Sequence, residues 1–302
     1  MCKSSPIFAS LNFVIIQQKH FKSMKKSALV VYYSHTGQLK EIVKNFVKNW
    51  SSVWNVDFME INTDEYKFPI TWHQMFDAMP ESVLGLPCKI SYPKYDYSSY
   101  DLVILGFQPW FMHPSIPFNS FTGTEDFKAA VKNKPVYIIT DCRNSRRNAI
   151  QIIEEKVVDS GGYIKGGCIF WDDSSGNLIG AFTLLKWLFS GKKNRLFKIF
   201  PPAGVRQSII DSASLYGDDI LKKIDTRKPD DCLYITVPKK RKEFTSKGYE
   251  NDVINMFKKW ANYIVEKKQK RKWRLLKFQI WILFAIVFMA PFLAIKNKKY
   301  KK

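Results

Sequence analysis

The sequence lacks the cysteine and histidine patterns that would indicate a disulfide framework or a metal centre. Its 302 residues include five cysteines, an odd number, spread far apart and without a C-x-x-C pair. Only four histidines are present, and no Ser-His-Asp order or cluster with metal-ligand spacing is visible. These absences disfavour a disulfide-stapled domain, a metalloenzyme and a serine hydrolase, and they indicate a reducing compartment.

Acidic residues are also scarce, with 27 Asp and Glu against 48 Lys and Arg, which gives a net charge of +21. Residues 1–26 hold five lysines and residues 267–302 hold twelve lysines and arginines, and neither segment contains an acidic residue. The two ends therefore account for 17 of the 21 charges and leave only +4 on the body. Because a nucleic-acid-binding domain spreads its positive charge over the folded surface, we expect no nucleic-acid partner.

One long apolar run is present, at residues 275–295 (LLKFQIWILFAIVFMAPFLAI), with Lys277 as its single charge. As a helix it would extend about 31 Å, enough to cross a hydrocarbon core of about 30 Å. We therefore expect residues 273–302 to form a membrane anchor and basic tail. Because the sequence shows no signal peptide that would export the body, we expect the body on the cytoplasmic face of the inner membrane. A helix lying in the interface is the alternative, because Gln279 and Pro291 also interrupt the apolar run.

The N-terminal residues 1–26 form a basic extension whose apolar run has one lysine before it and four after it. A signal peptide has the opposite polarity, so we do not expect export. Met24-Lys25-Lys26 followed at once by a strand favours a misassigned start codon, and a functional extension is the alternative.

The body alternates short apolar runs with amphipathic stretches. Continuous runs rich in β-branched and aromatic residues predict buried parallel strands, and the apolar spacing at residues 39–50 follows one helical face. This alternation predicts a doubly wound α/β fold with a five-stranded parallel sheet over residues 27–235, followed by a basic amphipathic helical linker at 236–272. The predicted strands are residues 28–33, 53–61, 102–107, 136–140 and 164–170.

Ligands bind such sheets beyond the carboxyl ends of the strands, so three loops are candidates for the site. The first loop reads Ser34-His35-Thr36-Gly37-Gln38-Leu39 and combines two hydroxyls, a glycine and the start of a helix, which suits a dianionic phosphate. It is neither a G-x-G-x-x-G nor a G-x-x-x-x-G-K-[ST] loop, so the phosphate monoester of FMN fits better than ATP or a dinucleotide. An ordinary helix cap is the alternative.

The second loop contains Gln108-Pro109-Trp110-Phe111 and, two residues later, His113. Trp110 and Phe111 suit stacking on an isoalloxazine ring, and backbone groups near Gln108 suit hydrogen bonds to its polar edge. His113 is the candidate proton donor or acceptor and hence the predicted catalytic residue. The alternatives are core packing for Trp110 and a structural role for His113.

The third loop, with Asp141, Cys142, Arg143 and Asn144, follows the fourth predicted strand and is polar. Its amides and Asn144 suit contacts with the flavin pyrimidine, and Arg143 would offset negative charge on the reduced ring. These four residues, the six of the first loop and residues 108–111 make up the predicted cofactor-binding set.

The loops resemble those of the flavodoxin-like superfamily. Longer runs stand at residues 32–43, 79–88, 105–117, 141–144 and 188–205, and these runs resemble the dialkylresorcinol condensing enzymes. The resemblance implies a flavodoxin-like fold, FMN, and a redox or aromatising step on a cyclic diketone-type intermediate. It also implies a ketosynthase-like partner in dialkylresorcinol or aryl-polyene biosynthesis. Gln38 stands where many flavodoxins have a hydroxyl, and Gln108 stands where related reductases have a proline.

Two further segments fit an apolar substrate. Residues 182–189 form an apolar stretch that leads into basic residues, as at a surface that touches anionic headgroups, although a core helix is the alternative. Residues 68–88 form a long insertion that suits a lid over the flavin or packing within the sheet.

We therefore expect a membrane-tethered, FMN-dependent oxidoreductase that acts on a lipid-like phenol, quinone or cyclic diketone, with NAD(P)H as a candidate electron donor. The alternatives are a flavodoxin-type electron carrier and a cofactor-free scaffold for a condensing enzyme.

Overall fold

One parallel sheet of six strands organises the chain. The computed structural model describes residues 25–143, 146–172, 177–224, 232–238 and 247–285. The strands of the sheet are β1 (Lys26–Tyr32), β2 (Trp54–Glu60), β3 (Leu102–Phe107), β4 (Pro135–Cys142), β5 (Tyr163–Trp171) and β6 (Leu233–Val237). Their order is β2-β1-β3-β4-β5-β6, and each neighbouring pair is parallel.

The first five strands follow the doubly wound order 2-1-3-4-5, which is the flavodoxin-like order. The α/β class and the parallel sheet are thus confirmed, and each predicted strand overlaps an observed one. The sheet has six strands and not five, because Leu233–Val237 pairs with β5 at the edge. This segment was missed because an edge strand with mostly half-exposed side chains lacks the continuous buried run of a central strand. The boundary expected between residues 235 and 236 falls inside it.

Helices cover both faces of the sheet. The helices of the described residues are α1 (Gln38–Phe46), α2 (Trp72–Leu84), α3 (Ile116–Thr122), α4 (Glu125–Val131), α5 (Arg147–Asp159), α6 (Asn177–Ser190), α7 (Gln207–Asp211), α8 (Ala213–Lys223), α9 (Lys247–Val265) and α10 (Arg271–Phe284). On one face α1, α7 and α8 pack against the strands, and on the other face α3, α4 and α5 do so.

A third apolar cluster joins α2 to the two C-terminal helices. Phe76 and Met79 of α2 pack with Ile264 of α9 and with Phe278 of α10. Arg271 strengthens this junction, because its guanidinium lies 2.8 Å from Asp77 and 2.7 Å from Glu81. The segment expected to be a linker therefore contains a helix packed on the body, and the segment expected to be an anchor begins within α10.

The expected membrane span is only partly described. In the ranges that the structure covers, we find no helix that is both long enough and apolar enough to cross a bilayer. The helix α10 contains the first half of the predicted run and ends at Phe284. Residues 286–302, like residues 1–24 of the predicted extension, lie outside the described residues.

The close approach of α8 to α1 provides a test of the helix packing. A Cβ on Gly217 of α8 would lie 1.8 Å from the carbonyl oxygen of Phe46, the last residue of α1. We expect Gly217→Ala to lower the free energy of unfolding by about 2 kcal/mol or more, because the two helices must separate. Urea denaturation measures this loss.

Gly123→Ala is the matched control. Its Cβ would meet only the carbonyl of Ser120, at an ordinary 3.5 Å. We expect the free energy of unfolding of this variant to change by no more than about 0.5 kcal/mol. Equal stabilities for the two variants would contradict the described packing of α1 on α8.

Candidate functional site

Three loops meet at one edge of the sheet, after the carboxyl ends of the adjacent strands β1, β3 and β4. This is the edge at which doubly wound sheets bind ligands. Between these loops and the helices α2 and α6 lies a cavity of about 420 Å³, a size typical of small-molecule sites. Its polar lining residues are His35, Thr36, Gln38, Gln108, Asp141, Arg143 and Asp172.

The loop after β1 turns the chain into α1. Gly37 has a φ of 83°, a left-handed conformation that favours glycine. The hydroxyl of Ser34 accepts a hydrogen bond from the backbone N–H of Lys40 (3.0 Å) and so supports the start of the helix. Leu39 is fully buried in the core. Thr36 lines the cavity, and its buried hydroxyl has no hydrogen-bond partner among the described residues.

His35, in the same loop, is a buried and neutral ring. Its Nδ1 lies 3.1 Å from the hydroxyl of Tyr33, and Trp110 packs edge-on at 5.2 Å between ring centroids. Burial lowers the pKa of His35 to about 4, so the ring is uncharged at neutral pH. Its Nε2 is buried on a residue that lines the cavity, and no described residue bonds to it.

The loop after β3 forms a tight hairpin. Pro109–Trp110 pairs antiparallel with His113–Pro114, and the turn residues Phe111 and Met112 have φ values of 46° and 67°. Left-handed backbone costs a bulky residue about 1 kcal/mol or more. Because the sequence has no Asn-Gly or Asp-Gly pair here, no signal predicted this hairpin.

Side chains from two helices hold the strained hairpin in place. The hydroxyl of Ser82 in α2 donates to the carbonyl of Trp110 (2.9 Å), and the amide of Asn148 in α5 donates to the carbonyl of Met112 (3.0 Å). The hairpin is therefore fixed to both of its neighbouring helices. This arrangement keeps Trp110 and Phe111 in the cavity lining.

His113 supports the same turn from within. Its Nδ1 donates to the carbonyl of Phe111 (3.0 Å), and burial lowers the pKa of the ring. The side chain is buried and does not line the cavity described above. A catalytic role for His113 stays a prediction, since the described geometry gives the ring a structural contact.

Asp141, at the end of β4, connects all three loops. Its Oδ2 accepts hydrogen bonds from Gln38 Nε2 (2.7 Å) and from Gln108 Nε2 (3.1 Å). The Oε1 of Gln108 in turn accepts from the backbone N–H of His35 (3.0 Å). Gln38 and Gln108, which come from two different loops, therefore bind the same carboxylate oxygen.

The two oxygens of Asp141 differ in their hydrogen bonding. Oδ1 is buried and has no hydrogen-bond partner among the described residues, although Asp141 lines the cavity. Burial raises the pKa of Asp141 to about 6, against the opposing effects of Gln38, Gln108 and the charge of Lys193. When the carboxyl binds a proton, the proton goes to Oδ1, because two N–H donors already occupy Oδ2.

Lys193 is a functional candidate that the sequence analysis did not identify. Its ammonium donates to Gln38 Oε1 (2.9 Å) and to the carbonyl of Val205 (3.0 Å), and it lies over the ring of Trp187. The side chain of Gln38 therefore connects the ammonium of Lys193 to the carboxylate of Asp141. A lysine in a basic loop gives no sequence signal for such a position, because 155 residues separate it from Gln38.

Arg143 lies in a buried ion pair at the other side of the cavity. Its Nη1 is 2.8 Å from Asp172 Oδ2, which also accepts from the backbone N–H of Gly204 (3.0 Å). A Cβ on Gly180 of α6 would lie 1.5 Å from the guanidinium, so this helix packs directly on Arg143. The predicted Asn144, next in the chain, lies outside the described residues.

Apolar side chains of α2 and α6 complete the cavity, together with Pro109, Cys142 and Val205 from the loops and strands. Part of the segment expected to form a lid lies in this wall. The residues of the two helical regions that line the cavity are Ile70, Met75, Ala78, Leu184, Leu185, Trp187 and Leu188. The site is therefore polar at the sheet edge and apolar beneath the helices.

No group of three or more His, Cys, Asp or Glu side chains in the described part of the chain could hold a metal ion.

No protein-family profile and no curated protein sequence matches the chain.

Solved structures of flavodoxin-like proteins show limited similarity. The flavoprotein of Lactobacillus acidophilus in complex with FMN is 19% identical over 48% of this chain and 93% of its own, with a TM-score of 0.40. Oxidised flavodoxin 1 of Bacillus cereus is 12% identical over 65% and 98%, with a TM-score of 0.37. The Trp repressor binding protein of Bacillus subtilis is 14% identical over 56% and 100%, with a TM-score of 0.32. At these values the similarities carry no argument about the site.

The raised pKa of Asp141 predicts how stability depends on pH. The folded-state pKa of about 6 exceeds the ordinary value of 3.8, so the folded protein holds this proton more tightly than the unfolded chain. The contribution of this group to stability is therefore fully present below the ordinary pKa and is lost as pH rises through about 6. We expect Asp141→Asn to be more stable than the natural chain at neutral pH by about 2 kcal/mol, because its amide oxygen still accepts from both glutamines.

Urea unfolding at neutral and at acidic pH measures this difference, which should shrink in acid. Asp172→Asn is the matched control, because it removes one partner of a buried ion pair. We expect it to lower the free energy of unfolding by about 3 kcal/mol at neutral pH. A loss of similar size in Asp141→Asn would contradict the raised pKa of this carboxyl.

Proposed function

We propose that the cavity binds FMN and that the chain is an FMN-dependent oxidoreductase acting on a lipid-like phenol, quinone or cyclic diketone. The observation that carries this proposal is the buried hydroxyl of Thr36. It has no partner among the described residues and lies at the start of α1, in the same cavity as Trp110. A phosphate-bearing ring is a ligand that would use both features.

The loop after β1 fits a terminal phosphate. The first N–H groups of an α-helix have no acceptor within the helix, so the start of α1 offers donors and the positive end of the helix dipole. Gly37 leaves open space, since nothing lies within 4 Å of where its Cβ would be. Thr36 Oγ1 and His35 Nε2 add two polar side-chain atoms that lack partners among the described residues.

The other two loops fit an aromatic ring with polar edges. Trp110 and Phe111 would contact its face, and Asp141 and the loop after β4 would contact its hydrogen-bonding edge. Arg143 would place positive charge near that edge, although Asp172 already pairs with it. Bound FMN would supply hydride or electron transfer between a donor and the substrate.

Asp141 is the group that we propose to hold or release a proton next to the ligand. Its free Oδ1 belongs to a cavity-lining residue, whereas His113 is turned toward its own loop. The apolar side chains of α2 and α6 would exclude water from the ring and accept the alkyl part of a substrate. Roles in dialkylresorcinol or aryl-polyene biosynthesis, with NAD(P)H as the donor and a ketosynthase-like partner, are the specific form of this proposal.

The absorbance spectrum of the purified full-length chain tests for the cofactor, since bound FMN makes the protein yellow. We expect Gly37→Asp to abolish FMN binding in a fluorescence titration, because a carboxylate would then face the phosphate. A natural chain that neither purifies yellow nor binds added FMN would favour the cofactor-free scaffold.

Gly85→Asp is the matched control for Gly37→Asp. Gly85 also has a left-handed φ, of 67°, but it ends α2, whereas Gly37 lies between the cavity-lining residues Thr36 and Gln38. We expect this variant to suffer the same backbone strain and to retain FMN. If both variants lost FMN to the same extent, backbone strain would explain the loss. The loop after β1 would then no longer be assigned to the phosphate.

A second experiment tests the apolar wall. We expect Leu184→Ser to lower kcat/KM about tenfold for NAD(P)H-dependent reduction of a long-chain alkyl quinone, with little effect for the unalkylated quinone. Phe182→Ser is the control, because Phe182 lies on the same helix but is exposed and outside the cavity lining. Equal losses of kcat/KM for both quinones would show that the alkyl chain does not bind at Leu184.

A further inference from the structure

The outer face of α10 exposes a continuous apolar stripe. At about 100° of rotation per residue, its five members fall within an arc of about 100°. Single exposed apolar residues are normal on protein surfaces, whereas a continuous stripe indicates a contact surface. The members of this stripe, which are between 44% and 70% exposed, are Trp273, Leu276, Ile280, Leu283 and Phe284.

The opposite face of α10 is fixed to the body. Leu275 and Phe278 are buried in the cluster with α2 and α9. The arginines of this face are paired: Arg271 with Asp77 and Glu81, and Arg274 with Glu266 at 2.9 Å. As described, α10 therefore runs along the surface of the protein.

The charges next to the stripe have a single sign. Lys272 and Lys277 are exposed and flank it on its two sides. From residue 267 to the end of the sequence there is no acidic residue. A lysine on each side of an apolar stripe matches the way in which lysine stems cover apolar surface while the ammonium reaches toward lipid phosphates.

We propose that α10 is an interfacial membrane-docking helix: its stripe of Trp273, Leu276, Ile280, Leu283 and Phe284 enters the headgroup boundary of a bilayer, and Lys272 and Lys277 bind anionic lipid headgroups. The helix lies in the plane of the interface, because its inner face remains packed on α2 and α9. The proposal holds whether or not the cavity binds FMN.

Charge favours a bilayer over a second copy of the chain as the occupant of this face. Two copies of α10 would bring lysines of the same sign together around one apolar patch, which opposes association. An anionic bilayer offers both an apolar interior and compensating charge. Lysines near such a surface each contribute about fivefold in binding when the lipids are anionic.

Vesicle co-sedimentation of the full-length chain tests the docking helix. We expect binding to vesicles of phosphatidylcholine with phosphatidylglycerol, and weaker binding to phosphatidylcholine alone. Lys272→Gln combined with Lys277→Gln should weaken binding to the anionic vesicles about 30-fold. Ile280→Asp combined with Leu283→Asp should weaken binding to both kinds of vesicle by at least about tenfold.

The control carries two aspartates at exposed apolar positions on other helices. Val158 of α5 and Leu215 of α8 are 60% and 67% exposed, and Val158→Asp combined with Leu215→Asp should bind vesicles as the natural chain does. Circular dichroism and the unfolding midpoint would verify that every variant folds.

Two results would overturn the proposal. Undiminished vesicle binding by Ile280→Asp with Leu283→Asp would assign membrane contact to residues outside α10. Absence of vesicle binding by the natural chain, together with a dimer that Ile280→Asp dissociates, would make the stripe an interface between two copies.

Discussion

The carboxylate of Asp141 is the interaction on which the candidate site depends. A buried carboxylate without donors is strongly unfavourable, so the chain must bring hydrogen bonds to it. Gln38 and Gln108 supply them from two other loops, and Lys193 supports Gln38 from a third direction. One oxygen atom therefore fixes the mutual positions of the loops after β1, β3 and β4. The same three loops line the cavity, so these hydrogen bonds connect its polar walls.

The helix α2 has a comparable role on the apolar side. Its N terminus has a capping box between Thr71 and Gln74, and it ends at Gly85 in a left-handed conformation. Met75 and Ala78 line the cavity, while Phe76 and Met79 pack with α9 and α10. The same short helix thus forms a wall of the cavity and the surface on which α10 rests. A lipid-like molecule that leaves a bilayer at α10 would be one helix away from the cavity.

Sequence patterns were sufficient for five of the six strands and for the three loops that line the cavity. Runs of apolar residues identified five strands, and the rule for the carboxyl ends of parallel strands identified the three loops. The edge strand β6 was missed because its side chains are mostly half-exposed. The hairpin at Phe111 and Met112 was missed because bulky residues rarely adopt left-handed backbone, and only its contacts with α2 and α5 explain it.

The side-chain pairs within the site could not be predicted from the sequence, for a different reason. The pairs Gln38–Asp141, Gln38–Lys193 and Arg143–Asp172 join residues that are 103, 155 and 29 positions apart. Nothing local in the sequence selects such pairs, because packing of the helices on the sheet decides which side chains meet. The resemblance drew attention to Gln38 and Gln108, but it did not indicate that both donate to one oxygen.

That arrangement also limits what the cavity can bind. Because Oδ2 of Asp141 already accepts two hydrogen bonds, it has no capacity for a ligand, whereas Oδ1 has full capacity. A ligand without a donor at that point leaves this buried oxygen unsatisfied, and an unsatisfied buried acceptor costs about 1–3 kcal/mol. A ligand with an N–H or O–H group at that point avoids this cost. The unpaired oxygen therefore selects for a hydrogen-bond donor, whichever molecule fills the rest of the cavity.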